Sequence, residues 1–348
     1  RYLERKNNCR GTQRGTHLRL RTITQWEFKK EKILRYKSFG FFLMLFTMVI
    51  FFYSLNPKFL SLRNIKNFID VIPELGIIVL GQAFILIAGE FDLSVGSVFA
   101  TSSITLSLMV YHFNINLWVA IFISLFLCCL IGAINGLITL KLKIPSFITT
   151  LSSMMFWRGM VLVITRGVPP FFPKELMPLV RILSGETIAI VNSYILYILI
   201  GFILWMILDN SGYGNWVFAV GSNREMAEKL GINVKKVKLI AFILVAFLAG
   251  FAGIMQACRL QTILPTAGEG YELDSIAGAV IGGVSLSGGS GDLVGAVIGA
   301  FVIRMMGNGL ILIGAPGYYV RIFVALTIVW AVVFYTFINN KISKMKIG

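Results

Sequence analysis

The side chains that could carry out acid–base or nucleophilic chemistry are few and scattered in this sequence. Among 348 residues there are two histidines, His17 in a basic N-terminal segment and His112 after a long apolar run. Neither has a nucleophile or carboxylate in sequence reach, and the common hydrolase, zinc and phosphate-loop motifs are missing. The stretch 289–294 begins like a dinucleotide fingerprint but ends in Val294. The sequence therefore predicts no catalytic site, no metal site and no cofactor in this chain, so any ATP and Mg would bind to a partner ATPase.

A short polar segment between long apolar runs is the strongest candidate for a contact with a partner protein. Ser222 and Glu225 have the spacing of a capping box, and Gly231 can adopt the left-handed conformation that ends a helix. A helix of about two turns is predicted between them. Met226 and Leu230, four residues apart, would form an apolar knob that suits a groove on another protein. The alternative is an ordinary solvated loop helix.

Five ionisable side chains lie in or beside the apolar runs: Glu74, Glu90, Asp92, Arg158 and Arg304. Such groups are costly at membrane depth and tend to face a cavity or a partner, so they are candidates for structural or gating roles.

Glu74 follows Pro73, which removes a helix hydrogen bond, so we expect this run to be two helical pieces around a break. A simple kink with Glu74 near the outer interface is the equal alternative. For Arg158 and Arg304, pairing with a carboxylate or backbone carbonyls is favoured over substrate contact.

The composition predicts an all-α polytopic membrane protein, because 57% of the residues are hydrophobic and only 14% are charged. A span needs about 20 apolar residues. Runs of suitable length lie at about 39–55, 65–88, 94–112, 116–140, 146–165, 188–208, 238–258, 292–313 and 319–338. A shorter run at 272–286 is either a tenth span or re-entrant.

The distribution of charge decides between nine and ten spans. With the basic N-terminus in the cytoplasm, ten spans place Lys141, the loop 209–238 and the C-terminal lysines on the same side, as the positive-inside rule requires. We therefore expect about ten transmembrane helices with both termini cytoplasmic. This topology places Lys174 and Pro265 outside and Lys235 inside.

The net charge of +16 resembles that of a nucleic-acid-binding protein, but twelve of the 32 Lys and Arg residues precede the first span. We interpret residues 1–37 as a poorly ordered basic tail that orients the protein and attracts anionic lipid, not nucleic acid. The permease domain would then cover 38–340, followed by a basic C-terminal tail at 341–348. The four cysteines show no disulfide pattern and are expected to be free thiols.

Glycines four residues apart recur in the last third, at Gly278/Gly282 and at Gly291, Gly295 and Gly299. This spacing lets helix backbones approach closely. Packing within the chain is favoured, and a share in a homodimer seam is the alternative.

Several segments together resemble one family, the membrane permeases of bacterial ATP-binding-cassette (ABC) importers for monosaccharides. Residues 89–97 read Gly-Glu-Phe-Asp-Leu-Ser-Val-Gly-Ser, where the family usually has Gly-Gly-Ile-Asp-Leu-Ser-Val-Gly, so Glu90 replaces a glycine. Residues 221–225, 265–277 and 282–289 follow in family order, and the resemblance covers about 40–340. Residues 225–231 also resemble the Glu-Ala-Ala-x-x-x-Gly coupling motif of ABC importers, with Met226 in place of the first Ala and without the Leu-Pro that often ends it.

The resemblance implies the ABC importer permease fold in the bacterial plasma (inner) membrane, paired with a second permease copy. It also implies an ABC ATPase and an extracytoplasmic sugar-binding protein as partners. The residues that would contact the ATPase are Ser222, Asn223, Arg224, Glu225, Met226, Ala227, Leu230 and Gly231.

Import of a ribose-like pentose or a hexose by alternating access is the function that the resemblance implies. Uncharged polar residues in the spans, Gln82, Asn135 and Asn308, are candidates for the translocation path, with structural hydrogen bonding between helices as the alternative. An ABC permease for a nucleoside, a furanosyl signal or a branched amino acid stays open. An ion-coupled carrier is less favoured because Glu90 and Asp92 are expected at the cytoplasmic edge.

Overall fold

The structure is a computed structural model that describes residues 44–187 and 190–316 and isolated positions between 319 and 329. The two tails and most of the run 319–338 lie outside these residues. The order begins with α1 (Met44–Leu55), a 3₁₀ turn (Pro57–Leu60), α2 (Leu62–Ile87), α3 (Val95–Tyr111), α4 (Leu117–Leu142) and α5 (Ser146–Thr165). A second 3₁₀ turn (Lys174–Leu176), α6 (Met177–Ser184) and a two-stranded hairpin, β1 (Glu186–Thr187) and β2 (Ile190–Val191), follow.

The second half of the described chain is helical from α7 onwards. Its elements are α7 (Asn192–Asn210), α8 (Gly212–Ser222), α9 (Arg224–Lys229), α10 (Val234–Leu260), α11 (Tyr271–Ile281) and α12 (Leu293–Leu312). Within the described residues, α2, α4, α5, α7, α10 and α12 are each long and apolar enough to cross a bilayer. The all-helical class predicted from composition is confirmed, with the small hairpin as the exception.

Helix α2 occupies the centre of the bundle and packs against α7, α10, α11 and α12. It is one continuous helix of 26 residues with Pro73 inside it, so the predicted break is wrong. Proline removes a single N–H donor, and the surrounding helices hold the segment straight enough to continue. Helices α4, α5 and α7 are mostly exposed and apolar, as lipid-facing helices are.

The bundle has two ends that can be told apart by contacts. At one, the amide of Gly289 donates to the Ile87 carbonyl at 2.8 Å, and Lys238 pairs with Glu90; we name this the α9 end. At the other, Asn64 and Asn308 exchange side-chain hydrogen bonds of 3.0 Å; we name this the Asn64 end. Helices α10 and α12 both start at the α9 end, so the chain must return between them.

The return path is only partly helical. Residues 261–270 form turns, and α11 then covers eleven residues. At about 1.5 Å per residue, α11 is roughly 16 Å long, which is about half of a hydrocarbon core. The apolar run at 272–286 is therefore a half-length helix preceded by an irregular segment.

Candidate functional site

Helix α9 stands at the end of the bundle and exposes two large apolar side chains. Met226 is 56% exposed and Leu230 is 75% exposed, while Ala227 between them is buried. The amide of Ile232 donates to the carbonyl of Ala227 at 3.0 Å and fastens the end of the helix to its own loop. Gly231 has φ 81°, the left-handed conformation that the sequence predicts. The helix thus presents Met226 and Leu230 as an apolar knob.

The helix starts one residue later than predicted. Asn223 is the N-cap, and its side-chain oxygen accepts from the amide of Met226 at 3.0 Å. Ser222 is the last residue of α8, and its hydroxyl donates to the Gly289 carbonyl at 3.3 Å. The Ser222–Glu225 capping box is therefore wrong, because Ser222 is already used in a contact between loops. Arg224 and Glu228 form an exposed i, i+4 ion pair of 3.2 Å instead.

Three chain segments meet under the base of α9. A side-chain carbon at Gly221 would overlap the carbonyl oxygen of Ile87, and one at Gly289 would overlap Ser222. A side-chain carbon at Gly288 would lie 2.9 Å from the Gly221 carbonyl oxygen and from Gly89 Cα, and Gly89 and Gly288 both have positive φ. The base of α9 therefore packs directly, backbone against backbone, on the end of α2 and on the α11–α12 loop. A displacement of α9 would displace these two segments as well, because close-packed groups leave no space between them.

Tyr213 joins α8 to the start of α10 beside this junction. Its hydroxyl donates to the Val237 carbonyl at 3.1 Å. Burial raises the pKa of Tyr213, so the hydroxyl stays protonated and remains a donor at physiological pH.

Glu90 is tied to α10 by an ion pair. Lys238 Nζ lies 2.6 Å from Glu90 Oε1, and the two side chains are 8% and 15% exposed. Lys238 marks the start of a predicted span, but nothing in its local sequence indicates a partner 148 positions away.

Asp92 lies inside the bundle, enclosed by protein. Its side chain is fully buried, and Ser94 donates to Asp92 Oδ1 through its amide at 2.7 Å and its hydroxyl at 2.6 Å. Gln82 donates to the Asp92 carbonyl at 2.5 Å, and Asn135 donates to the Ser94 hydroxyl at 3.0 Å. The loop after α2 thus folds back beside α2, and these side chains connect α2, α3 and α4.

The three candidates for the translocation path are enclosed or paired. Gln82 and Asn135 are 0% and 2% exposed, and Asn308 is paired with Asn64. Their placement favours the structural alternative, hydrogen bonding between helices.

Glu74 is buried and joins α2 to α10. Glu74 Oε1 lies 2.5 Å from Arg259 Nε, and Gln256 Nε2 donates to Glu74 Oε2 at 2.9 Å. Glu74 is 2% exposed and is therefore enclosed by the bundle. Sequence reasoning missed both partners, although Arg259 lies one residue beyond a predicted span.

Tyr271 extends this arrangement to α11 and α12. Its hydroxyl accepts from Gln256 Nε2 at 3.3 Å and from Arg304 Nη2 at 2.6 Å, and the Arg304 guanidinium carbon lies 4.9 Å from the ring centre. We name Glu74, Gln256, Arg259, Tyr271 and Arg304 the Tyr271 cluster. Arg304 therefore has an uncharged partner within hydrogen-bond distance.

Arg158 on α5 binds backbone carbonyls. Nη1 donates to Pro265 O at 2.7 Å and to Ala267 O at 3.0 Å, and Nη2 donates to Gly96 O at 3.0 Å. These are carbonyls of the irregular segment before α11 and of the first turn of α3, where a regular helix would have satisfied them. Among the described residues, no group of three His, Cys, Asp or Glu side chains could hold a metal ion.

The chain is similar to known proteins over most of its length. The sequence profile of the family described as branched-chain amino acid transport system, permease component, matches residues 64–332. No solved structure matches the chain significantly.

Three relatives illustrate the similarity to named proteins. The ribose import permease protein of Bacillus subtilis (strain 168) is 36% identical over 85% of this chain and 92% of its own length. The ribose import permease protein of Escherichia coli (strain K12) is 33% identical over 90% of this chain and 96% of its own. The xylose/arabinose import permease protein of Sulfolobus acidocaldarius is 35% identical, over 82% and 81%.

Proposed function

We propose that this chain, which belongs to the family described as branched-chain amino acid transport system, permease component, is the membrane subunit of an ABC importer. The proposed cargo is a monosaccharide. It is a multi-pass protein of the bacterial plasma (inner) membrane. The observation that carries the proposal is the similarity, over nearly the whole chain, to relatives named as ribose and xylose import permeases. A ribose-like pentose is the favoured cargo, and a hexose is the second candidate.

The α9 knob supports a division of labour between chains. Exposing two large apolar side chains on a solvent-facing helix is energetically unfavourable unless a partner protein covers them. We propose that Met226 and Leu230 fill a groove on an ABC ATPase, which binds the ATP and Mg. Asn223, Arg224, Glu225, Ala227 and Gly231 shape the helix, and Ser222 anchors its base to the α11–α12 loop.

Transport then proceeds by alternating access. Closure of the ATPase pair moves α9, and the glycine contacts under α9 pass this movement to the end of α2 and to the loop before α12. A second permease copy completes the path, and an extracytoplasmic binding protein delivers the sugar on the opposite side. We propose ten crossings with both termini in the cytoplasm, where the 261–270 segment and α11 together make one crossing.

Reconstitution tests this function. The permease is co-purified with the ATPase and the binding protein encoded beside it, placed in lipid vesicles, and supplied with a panel of pentoses, hexoses, nucleosides and branched amino acids. We expect ATP-dependent uptake of a monosaccharide that requires the binding protein. Uptake driven by a proton or sodium gradient without ATP would contradict the proposal, as would ATP-dependent uptake of an amino acid or nucleoside alone.

A further inference from the structure

We propose that the Tyr271 cluster is a contact site for the sugar on its way through the permease, an inference that rests on the proposed function. It takes an uncharged polyhydroxyl ligand. The start of a helix at the cluster, its exposure, its unused donors and its charge carry this assignment.

The cluster joins four helices at different points along their lengths, and Gln256 and Arg259 lie near the end of α10. Glu74 is near the middle of α2, and Arg304 is near the middle of α12. Tyr271 is the first residue of α11, so a helix begins at the cluster after an irregular segment. Transporters commonly place substrate sites where a discontinuous helix starts near the bilayer midplane, because the free backbone and side-chain groups there can meet a polar ligand.

The cluster is partly open, unlike the site around Gln82 and Asp92. Gln256, Tyr271 and Arg304 are partly exposed, and the Arg259 side chain is 24% exposed. Gln82 and Asp92, by contrast, are sealed at 0%. A guanidinium and an amide turned towards lipid would be costly, so the open side of the cluster must face water or another polar surface. A water-filled path between two permease copies meets that requirement.

Hydrogen-bond donors remain unused in the cluster. Arg259 contacts Glu74 through Nε, and Arg304 contacts Tyr271 through Nη2, whereas each guanidinium carries several more N–H donors. Arg304 Nε is buried and has no acceptor among the described residues. Arg304 Nε is enclosed, so a ligand rich in hydroxyl oxygens would supply acceptors to the remaining donors of the two guanidinium groups and not to Nε.

The charge of the cluster selects a neutral ligand. Arg259 and Arg304 are balanced by Glu74 and by Asp274, which lies in the first turn of α11 and acts electrostatically on Arg304. Because these charges cancel, the cluster has no net positive charge to hold a sugar phosphate, whereas a free sugar needs none.

The ring of Tyr271 is already in use. Phe99 packs edge-on against it with centroids 5.2 Å apart, and Arg304 lies over it. The contact with the sugar is therefore made by the polar groups of the cluster and not by stacking on the ring.

The test compares Tyr271→Phe and Gln256→Ala with Ser152→Ala in the reconstituted importer, supplied with D-ribose or D-xylose. Ser152 is an exposed polar residue of α5 that donates to a carbonyl of its own helix, which makes it a matched control. Loss of one hydrogen bond to the sugar lowers the amount of sugar carried per ATP hydrolysed by about fivefold. Assembly with the ATPase and stimulation of ATP hydrolysis by the loaded binding protein stay at the wild-type level.

A second measurement separates sugar contact from a purely structural role. Gln256→Cys, in a chain whose own cysteines are replaced by alanine, is labelled with a thiosulfonate reagent in the purified importer. We expect D-ribose or D-xylose to slow the labelling, and a salt of equal osmolarity to leave it unchanged.

Two results would overturn the inference while the proposed function stands: unchanged sugar per ATP in both variants, or labelling of Gln256→Cys that no transported sugar slows. If the wild-type importer carries neither sugar, the proposed function itself fails, and the inference fails with it.

Discussion

Three charged side chains inside this bundle have partners far away in the sequence. Glu90 pairs with Lys238, Glu74 with Arg259, and Arg158 with three backbone carbonyls. Removing one member of a buried pair leaves the other desolvated and uncompensated, which costs more than the pair itself contributes.

The Glu90–Lys238 pair allows a direct test of this argument. Glu90→Ala should destabilise the detergent-purified permease by about 3 kcal/mol, because Lys238 would stay buried without a carboxylate. The double variant Glu90→Ala/Lys238→Met should recover most of the loss. The measurement is thermal unfolding in detergent.

The exposed pair Arg224–Glu228 provides the control for this experiment. Glu228→Ala should change the stability by less than about 0.5 kcal/mol, since both side chains are half exposed to solvent. A double variant at Glu90 and Lys238 that is no more stable than Glu90→Ala would show that the pairing is not what stabilises the site.

The apolar knob of α9 makes a separate residue-scale prediction. Met226→Asp or Leu230→Asp should remove a docking contact of roughly 2 kcal/mol, which is more than tenfold in affinity. Insertion and folding should be normal, because both side chains are already exposed. Copurification of the ATPase and ATP-driven uptake should both fall.

Lys229→Asp is the matched control, since Lys229 is an exposed residue of the same helix. It should leave ATPase association near the wild-type level. Normal uptake and normal association in both knob variants would rule out α9 as the contact with the ATPase.

At the scale of elements, glycines set how closely α11 approaches α12. A side-chain carbon at Gly299 would overlap the Gly278 carbonyl, and one at Gly282 would overlap the backbone of Gly295. Gly291 lies against Ile87 and Val284. The glycine series is thus used in contacts within the chain, the favoured one of the two sequence-based alternatives.

Alanine at Gly299 should therefore force these two helices apart and destabilise the permease by roughly 1–3 kcal/mol. Gly159→Ala is the matched control, because Gly159 lies in α5 with open space around its Cα. It should be neutral or stabilise by up to about 1 kcal/mol, from helix propensity alone. The measurement is the unfolding of both variants in detergent. Equal stability of the two variants would refute close packing at Gly299.

At the scale of the whole molecule, the proposed topology predicts which positions an impermeant thiol reagent reaches. Single cysteines at Lys174 and Thr262 should react from outside intact cells, and one at Lys235 should not. Pro265 is unsuitable for this purpose, because it is buried and its carbonyl accepts from Arg158. Exposed Thr262, in the same segment, replaces it. Labelling of Lys235 from outside would reverse the orientation.

The sequence alone was sufficient for the class of protein, the approximate position of most spans and the place of α9. Apolar composition, run length and turn residues are local properties, and the bilayer requires each span to satisfy its own backbone. Gly231 is an example, because only a residue without a side chain adopts its left-handed conformation without strain. The same local rules failed at Pro73 and Ser222, where contacts with distant segments outweigh the local preference.

Only the tertiary structure decided which polar residues meet. Lys238 and Glu90 are 148 positions apart, and Arg259 and Glu74 are 185 apart. Pairs of this kind depend on which helices become neighbours, and the hydrophobic pattern that positions helices in a membrane carries no information about their neighbours. The short length of α11 also depends on contacts with other helices. In the irregular segment 261–270 before it, the carbonyls of Pro265 and Ala267 are satisfied by Arg158, which comes from another helix.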